Sequence, residues 1–319
     1  MLKRPEHDFW YTSLTPDLAR IEVPMLVCAS FSDHSLHSRG SFEVFRRAAS
    51  RRKKLYTHRD GKWCAYYSED AAQARLRFFD CTLKGLDNGW DDEPAIRLAI
   101  TEAGPDPVAI VHEASWPPED LVWRKLQLDA RSRTMTEAAA PLDTASVGFD
   151  AARGVVSFSW IVPDALDVIG PMALLLNVEI TGAEDVLLFA GARKFRSDHV
   201  RRIIRLSGDM VSKGWQRAAH RELDADRSTP EQPVHRHGRA EPLMPGEIVP
   251  VHIAMRPHAT RFRKAEELRL EIRGHWFFPD DPLRGQFPAN YQSSLAGFCL
   301  LHTRRDVCSY LLIGTRSAA

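Results

Sequence analysis

The chain has 319 residues, 44% hydrophobic and 27% charged, and its 43 Lys and Arg against 42 Asp and Glu leave a formal charge of +1. That length allows one large or two ordinary domains with a sizeable core, and the composition is ordinary for a globular protein. The charge balance excludes a global pull toward nucleic acid or a membrane surface, and no apolar run reaches spanning length.

In chain order, Val23 to Ser30 is an apolar run of strand length that breaks at Phe31-Ser32-Asp33-His34. A helical stretch follows, with Phe42 and Phe45 on one side, and then a short strand from Lys54 to Thr57 that ends in His58 and the turn-like segment 59–63. From Ser68 to Gly85 the signals are those of a helix, with Ser and acids at the start and Lys84-Gly85 at the end. Its Leu76, Phe79 and Leu83 recur at helical spacing, which predicts a face toward a core. The segment 87–94 is polar, and the domain boundary is expected there, dividing residues 1–86 from 93–319. Beyond it come short apolar or alternating runs at 95–101, 122–128, 155–160, 173–180, 186–190, 249–254, 268–272 and 310–313. Gly, Pro and Asp punctuate them, which favours an all-β sandwich, of jelly-roll type.

The five cysteines, Cys28, Cys64, Cys81, Cys299 and Cys308, are odd in number and form no C-x-x-C pair. Neither a disulfide framework nor a zinc site is suggested. A reducing, cytoplasmic location is the simpler expectation, and the N-terminus has no apolar leader segment.

Strand, acid, helix, strand, histidine is the order in which an α/β-hydrolase supplies the second and third members of its triad, after a serine on a G-x-S-x-G elbow. Asp33 would be the acid and His58 the base. No G-x-S-x-G occurs in the sequence. The plainer alternative makes Asp33 a cap for a helix beginning near Leu36 and His58 an ordinary loop residue. His34 and His37 compete for the base, but they share the loop of Asp33 and so approach from the wrong side.

Two further constellations carry less. His235-Arg236-His237, with His220 and His258 elsewhere, could begin a metal site, but the segment reads as loop and no acid stands at a convincing spacing. No metal and no cofactor is expected. Trp160, Trp215 and Trp276 could line a sugar-binding face, although β-sandwich cores also need such residues.

Several stretches resemble the C-terminal part of the Xaa-Pro dipeptidyl-peptidase, cocaine-esterase and NonD-type (CocE/NonD) serine hydrolases. They are Ile21 to Val27 running into Ser32-Asp33, Leu36 to Phe42, the strand ending in His58, Phe78-Phe79-Asp80 with Leu83-Lys84-Gly85, Gly214 to Asp224, and Leu243 to Val251. The resemblance implies the C-terminal remnant of an α/β-hydrolase domain followed by a jelly-roll, galactose-binding-like β-sandwich. It implies that Asp33 matches the triad acid and His58 the base, although His58 lacks the Gly-Pro-Trp-Ser-His setting common in the family. The substrate class it implies is an ester or Xaa-Pro peptide bond.

The expectation is therefore the acid-and-base portion of a serine hydrolase, inert until a segment bearing the serine completes it. Either a gene fragment or a subunit complemented by an N-terminal partner chain fits, and unpaired strand edges predict that residues 1–85 are either propped against the β-domain or stick to another copy in a homo-oligomer. The alternative is a non-catalytic β-sandwich module that binds carbohydrate or protein.

Overall fold

The computed structural model describes residues 6–33, 37–139, 143–196, 209–277, 297–304 and 306–318. A short helix α1 (Phe9–Leu14) opens the chain, its first turn capped by the Asp8 carboxylate, which accepts the N–H of Trp10. Strand β1 (Met25–Ser30), helix α2 (Ser38–Arg47) and strand β2 (Lys53–His58) form a βαβ unit. The strands are parallel and in register from Met25 opposite Lys53 to Ser30 opposite His58. Phe42 and Phe45 turn inward from α2, as their spacing predicts, and are buried against the sheet.

The turn-like segment after His58 leads directly into a helix, α3 (Lys62–Tyr67), and then into α4 (Glu69–Lys84). The Ser68 hydroxyl accepts the N–H of Ala71, Glu69 and Asp70 favour the positive end of the dipole, and Gly85 closes the helix at a φ of 69°. One expectation for α4 fails. Leu76, Phe79 and Leu83 are 54%, 48% and 76% exposed, while Phe78 is buried against Trp90. Ala71 and Phe78 are its buried residues, and the Tyr56 hydroxyl of β2 donates to Asp70 Oδ2 at 2.6 Å. Its apolar stripe is turned away from the rest of the described chain.

Strand β3 (Ile96–Thr101) pairs in parallel with β2 and antiparallel with β4 (Pro107–Glu113). The remaining strands are β5 (Val122–Asp129), β6 (Thr134–Thr136), β7 (Ala145–Asp150), β8 (Val155–Ile161), β9 (Leu166–Thr181) and β10 (Leu187–Phe195). They continue with β11 (Asp209–Arg217), β12 (Val249–Phe262), β13 (Glu267–Arg273), β14 (Phe298–Thr303) and β15 (Tyr310–Ser317). The fold is thus mostly β, of a sandwich or barrel kind. Strands β8 and β13 alternate buried and partly exposed residues, as strands with one core-facing side must. The long β9 is buried along almost its whole length and pairs with β12, β14 and β15.

Two apolar clusters organise the interior. The larger joins Leu126, Phe158, Leu174, Leu188, Ile253 and Leu270 within the β-rich part. The smaller joins Phe31, Phe42, Leu55 and Leu98 to Trp116, Ile169 and Ala259, so it spans the βαβ unit and the β-rich part. The backbone crosses the same junction, because β2 pairs with β3, Leu55 opposite Ile96 and Tyr56 opposite Arg97. Close approach fixes β11 against β12, where a Cβ on Gly214 would lie 2.4 Å from the Ala254 carbonyl oxygen.

Candidate active site

The site residues sit where β1 and β2 leave the sheet. Ser30, the last residue of β1, builds the turn that follows. Its hydroxyl accepts the N–H groups of Ser32 at 3.1 Å and Asp33 at 3.3 Å, and its carbonyl accepts the Ser38 hydroxyl at 2.6 Å. Asp33 is thereby held at the strand end. Among the described residues the N-cap of α2 is His37, and the Asp33 backbone carbonyl accepts the Ser38 N–H at 3.2 Å. The side chain is 9% exposed and faces Lys62 Nζ at 3.5 Å and His37 Nε2 at 3.9 Å. Its Oδ2 is buried and accepts no hydrogen bond. His34 and Leu36 lie outside the described residues.

His58 ends β2 beside Ser30. Its carbonyl accepts the N–H of Phe31 at 2.7 Å, and the Ser32 hydroxyl donates to the Asp60 carbonyl at 2.9 Å. The acid-bearing and histidine-bearing loops are thus stitched together along their backbones. His58 Nδ1 is buried without a hydrogen-bond partner. Burial pushes the imidazole below its ordinary range, opposed by a backbone hydrogen bond with Asp60 and by the Asp60 and Asp33 carboxylates, while Arg97 pushes it further down. A neutral imidazole beside a carboxylate can take a proton from a hydroxyl and be stabilised as it does so.

Two basic residues join this neighbourhood that sequence reasoning did not single out. Arg59 Nη2 donates to the Met210 carbonyl of β11 at 2.8 Å, and Nη1 donates to Thr101 Oγ1 of β3 at 3.2 Å. Lys213, also on β11, is 5% exposed. Burial brings its ammonium down to about 8, with Arg256 and Arg193 acting in the same sense and Asp33 opposing. No sequence signal links Lys213 to a residue 180 positions earlier; only the sheet does.

The other constellations are placed as follows. The His237 ring lies 5.6 Å from those of His220 and His235, and burial pushes His235 down to about 3 and His237 to about 4. Among the described residues no group of three His, Cys, Asp or Glu is placed to hold a metal ion. Trp160 and Trp276 are buried, and Trp215 packs edge-on against Trp276 at 5.7 Å. No described helix is long and apolar enough to cross a membrane.

Solved structures with the same chain path include a CocE/NonD family hydrolase from Staphylococcus aureus, 28% identical, at a TM-score of 0.90 over 99% of this chain and 58% of that one. An aminopeptidase from a marine sediment Thaumarchaeota archaeon, 16% identical, matches at 0.75 over 99% of this chain and 59% of its own. An α-amino acid ester hydrolase, 14% identical, matches at 0.69 over 98% and 59%; these last two show the fold alone. The chain therefore spans under two thirds of the length of the proteins whose structures it matches. No curated protein sequence matches it. Residues 88–283 match the X-Pro dipeptidyl-peptidase C-terminal non-catalytic domain. That match covers more than half of the chain, and the kinship with CocE/NonD and Xaa-Pro dipeptidyl-peptidase proteins expected from sequence stands on it. The chain belongs to the X-Pro dipeptidyl-peptidase C-terminal domain family.

Proposed function

We propose that this chain carries the acid and the base of a serine hydrolase, Asp33 and His58, together with the non-catalytic β-rich domain of that family. In this reading residues 1–86 are the last portion of an α/β-hydrolase domain, and residues 93–319 are a jelly-roll, galactose-binding-like sandwich. One observation carries it. Asp33 Oδ2 and His58 Nδ1, an acceptor and a potential donor, are both buried without hydrogen-bond partners at the ends of adjacent parallel strands. Leaving His58 Nδ1 unsatisfied costs about 1–3 kcal/mol, and pairing it with the Asp33 carboxylate, which faces Lys62 at 3.5 Å, with a serine hydroxyl at the far side of the imidazole, removes that cost.

The chemistry follows from the residue types. A serine from an elbow segment loses its proton to the His58 imidazole as it attacks an ester or Xaa-Pro amide carbonyl. Asp33 holds the ring in the productive tautomer and stabilises the imidazolium, which then protonates the leaving group. Water repeats the cycle to release the acyl group. The oxyanion donors sit partly after the elbow serine, so the 319 residues alone are inert. The completing segment docks on the outer edge of β1 and the apolar face of α3 and α4, where Trp63, Tyr67, Leu76, Phe79 and Leu83 are exposed. Five free thiols fit a reducing cytoplasmic setting. A sugar-binding module is less well supported, because Trp160 and Trp276 are inside.

The deciding experiment is p-nitrophenyl ester hydrolysis by the chain with and without a co-expressed family segment bearing G-x-S-x-G. Turnover should need both, and Asp33→Asn or His58→Ala should each lower it by about 10³–10⁴-fold. Robust turnover by the 319 residues alone, or full restored activity in either variant, overturns the reading.

A further inference from the structure

We propose that the β-rich domain positions the base from a distance, with Arg59 as the positioning residue that ties the His58 loop to strand β11. This rests on His58 being the base. Arg59 is the next residue after His58, at the point where β2 ends and the chain turns toward α3. Its guanidinium reaches two acceptors on different strands, Met210 O on β11 and Thr101 Oγ1 on β3, 151 and 42 residues away. Both anchors are firmly placed. Met210 lies opposite Arg193 in the β10–β11 ladder. Thr101 is wholly buried and lies opposite Thr260 of β12, and its hydroxyl donates to the Ala259 carbonyl at 3.4 Å.

The geometry matters because His58 is the last strand residue, and beyond it the loop is also held by contacts of its own. Ser32 Oγ donates to Asp60 O, and the Gly61 N–H donates to Asp60 Oδ1. Both of these are internal to the βαβ unit and would travel with it. Arg59 reaches across to β11 through the Met210 carbonyl. A planar fork can satisfy two separated acceptors at once, which a single ammonium cannot. The domain called non-catalytic thus fixes the ring that does the chemistry, without touching substrate.

The test uses the whole chain. Side-chain NMR of ¹⁵N-histidine-labelled protein follows the His58 titration, and hydrogen exchange follows residues 58–61, in wild type, Arg59→Met, Arg59→Lys and Thr101→Val. Arg59→Met should admit water to the ring, raise the His58 midpoint toward 6.5 and speed exchange at 58–61 about tenfold or more. Arg59→Lys should recover only part of the change. Thr101→Val, isosteric and lacking one acceptor, should shift the same readouts in the same direction by less, and it decides the matter if Arg59→Met does not fold. Unchanged His58 titration and exchange in folded variants, judged by intact protection in β9 and β12, overturns the proposal. In the complemented enzyme, Arg59→Met should lower kcat at least tenfold with little change in KM, and an unchanged kcat also overturns it. If His58→Ala leaves complemented activity intact, the base assignment fails instead, and the NMR arms still judge the tie.

Discussion

The N–H of Phe31 donates to the carbonyl of His58 at 2.7 Å, one step beyond the last paired residues of β1 and β2, Ser30 and His58. The parallel ladder therefore runs on into the loops, and the spacing between the Asp33 turn and His58 is set by backbone.

The outward stripe of α4 should behave as an unused interface. Replacing Leu76 and Leu83 with Gln should change the urea midpoint of the chain by no more than about 0.5 kcal/mol of stability, as exposed substitutions do. The same change should reduce self-association seen by sedimentation velocity and weaken complementation by an elbow-bearing segment. A large loss of stability would mean that the stripe is covered within the chain itself.

Lys194 and Glu266 form a nearly solvent-free ion pair at 2.7 Å, with side chains 1% and 4% exposed. The lysine also donates to the Arg261 carbonyl at 2.5 Å, and Glu266 accepts the N–H of Arg263 at 2.8 Å. Glu266→Ala would strand a buried ammonium and should cost about 3–5 kcal/mol, read by chemical denaturation. Replacing both residues with apolar ones of similar volume should cost far less than the single change.

His258 is 1% exposed, and burial drives its imidazole down to about 3, with Arg59 adding to the effect and backbone bonds near Arg256 and Gly170 opposing it. Above pH 6.5 neither the folded nor the unfolded form is protonated, so its contribution to stability is fully present. As pH falls from 6.5 toward 3, the unfolded chain takes up a proton that the folded form refuses, and stability is lost. The slope for one proton is about 1.4 kcal/mol per pH unit, or about 2 kcal/mol between pH 6.5 and pH 5. His235 and His237 are shifted in the same sense. Urea denaturation at pH 7 and pH 5 should show the loss, and His258→Asn should shrink the difference between the two pH values. An equal difference in the variant would refute the role of His258.

The βαβ unit was legible because each signal was local: an apolar run, Phe42 and Phe45 at helical spacing, and a second short strand. The caps of α4 were legible for the same reason. Its buried face was not, since spacing finds a stripe without saying what covers it, and here Phe78 beside the stripe does the packing. Strand β4 escaped notice because it begins with Pro107 and keeps Val108 and Ile110 largely in solvent. Strand β11 was hidden for the opposite reason. Its Ser212, Lys213 and Gln216 are buried polar residues, which spoil the alternation that announces a strand. For the proposed site, order along the chain nominates Asp33 and His58. It does not nominate Arg59, because its acceptors belong to strands that only the sheet brings near.

Leu55 opposite Ile96 and Tyr56 opposite Arg97 turn two stretches of different character into a single hydrogen-bonded fabric across the polar segment 87–94. A protease nicking that segment would leave two pieces still clasped to each other.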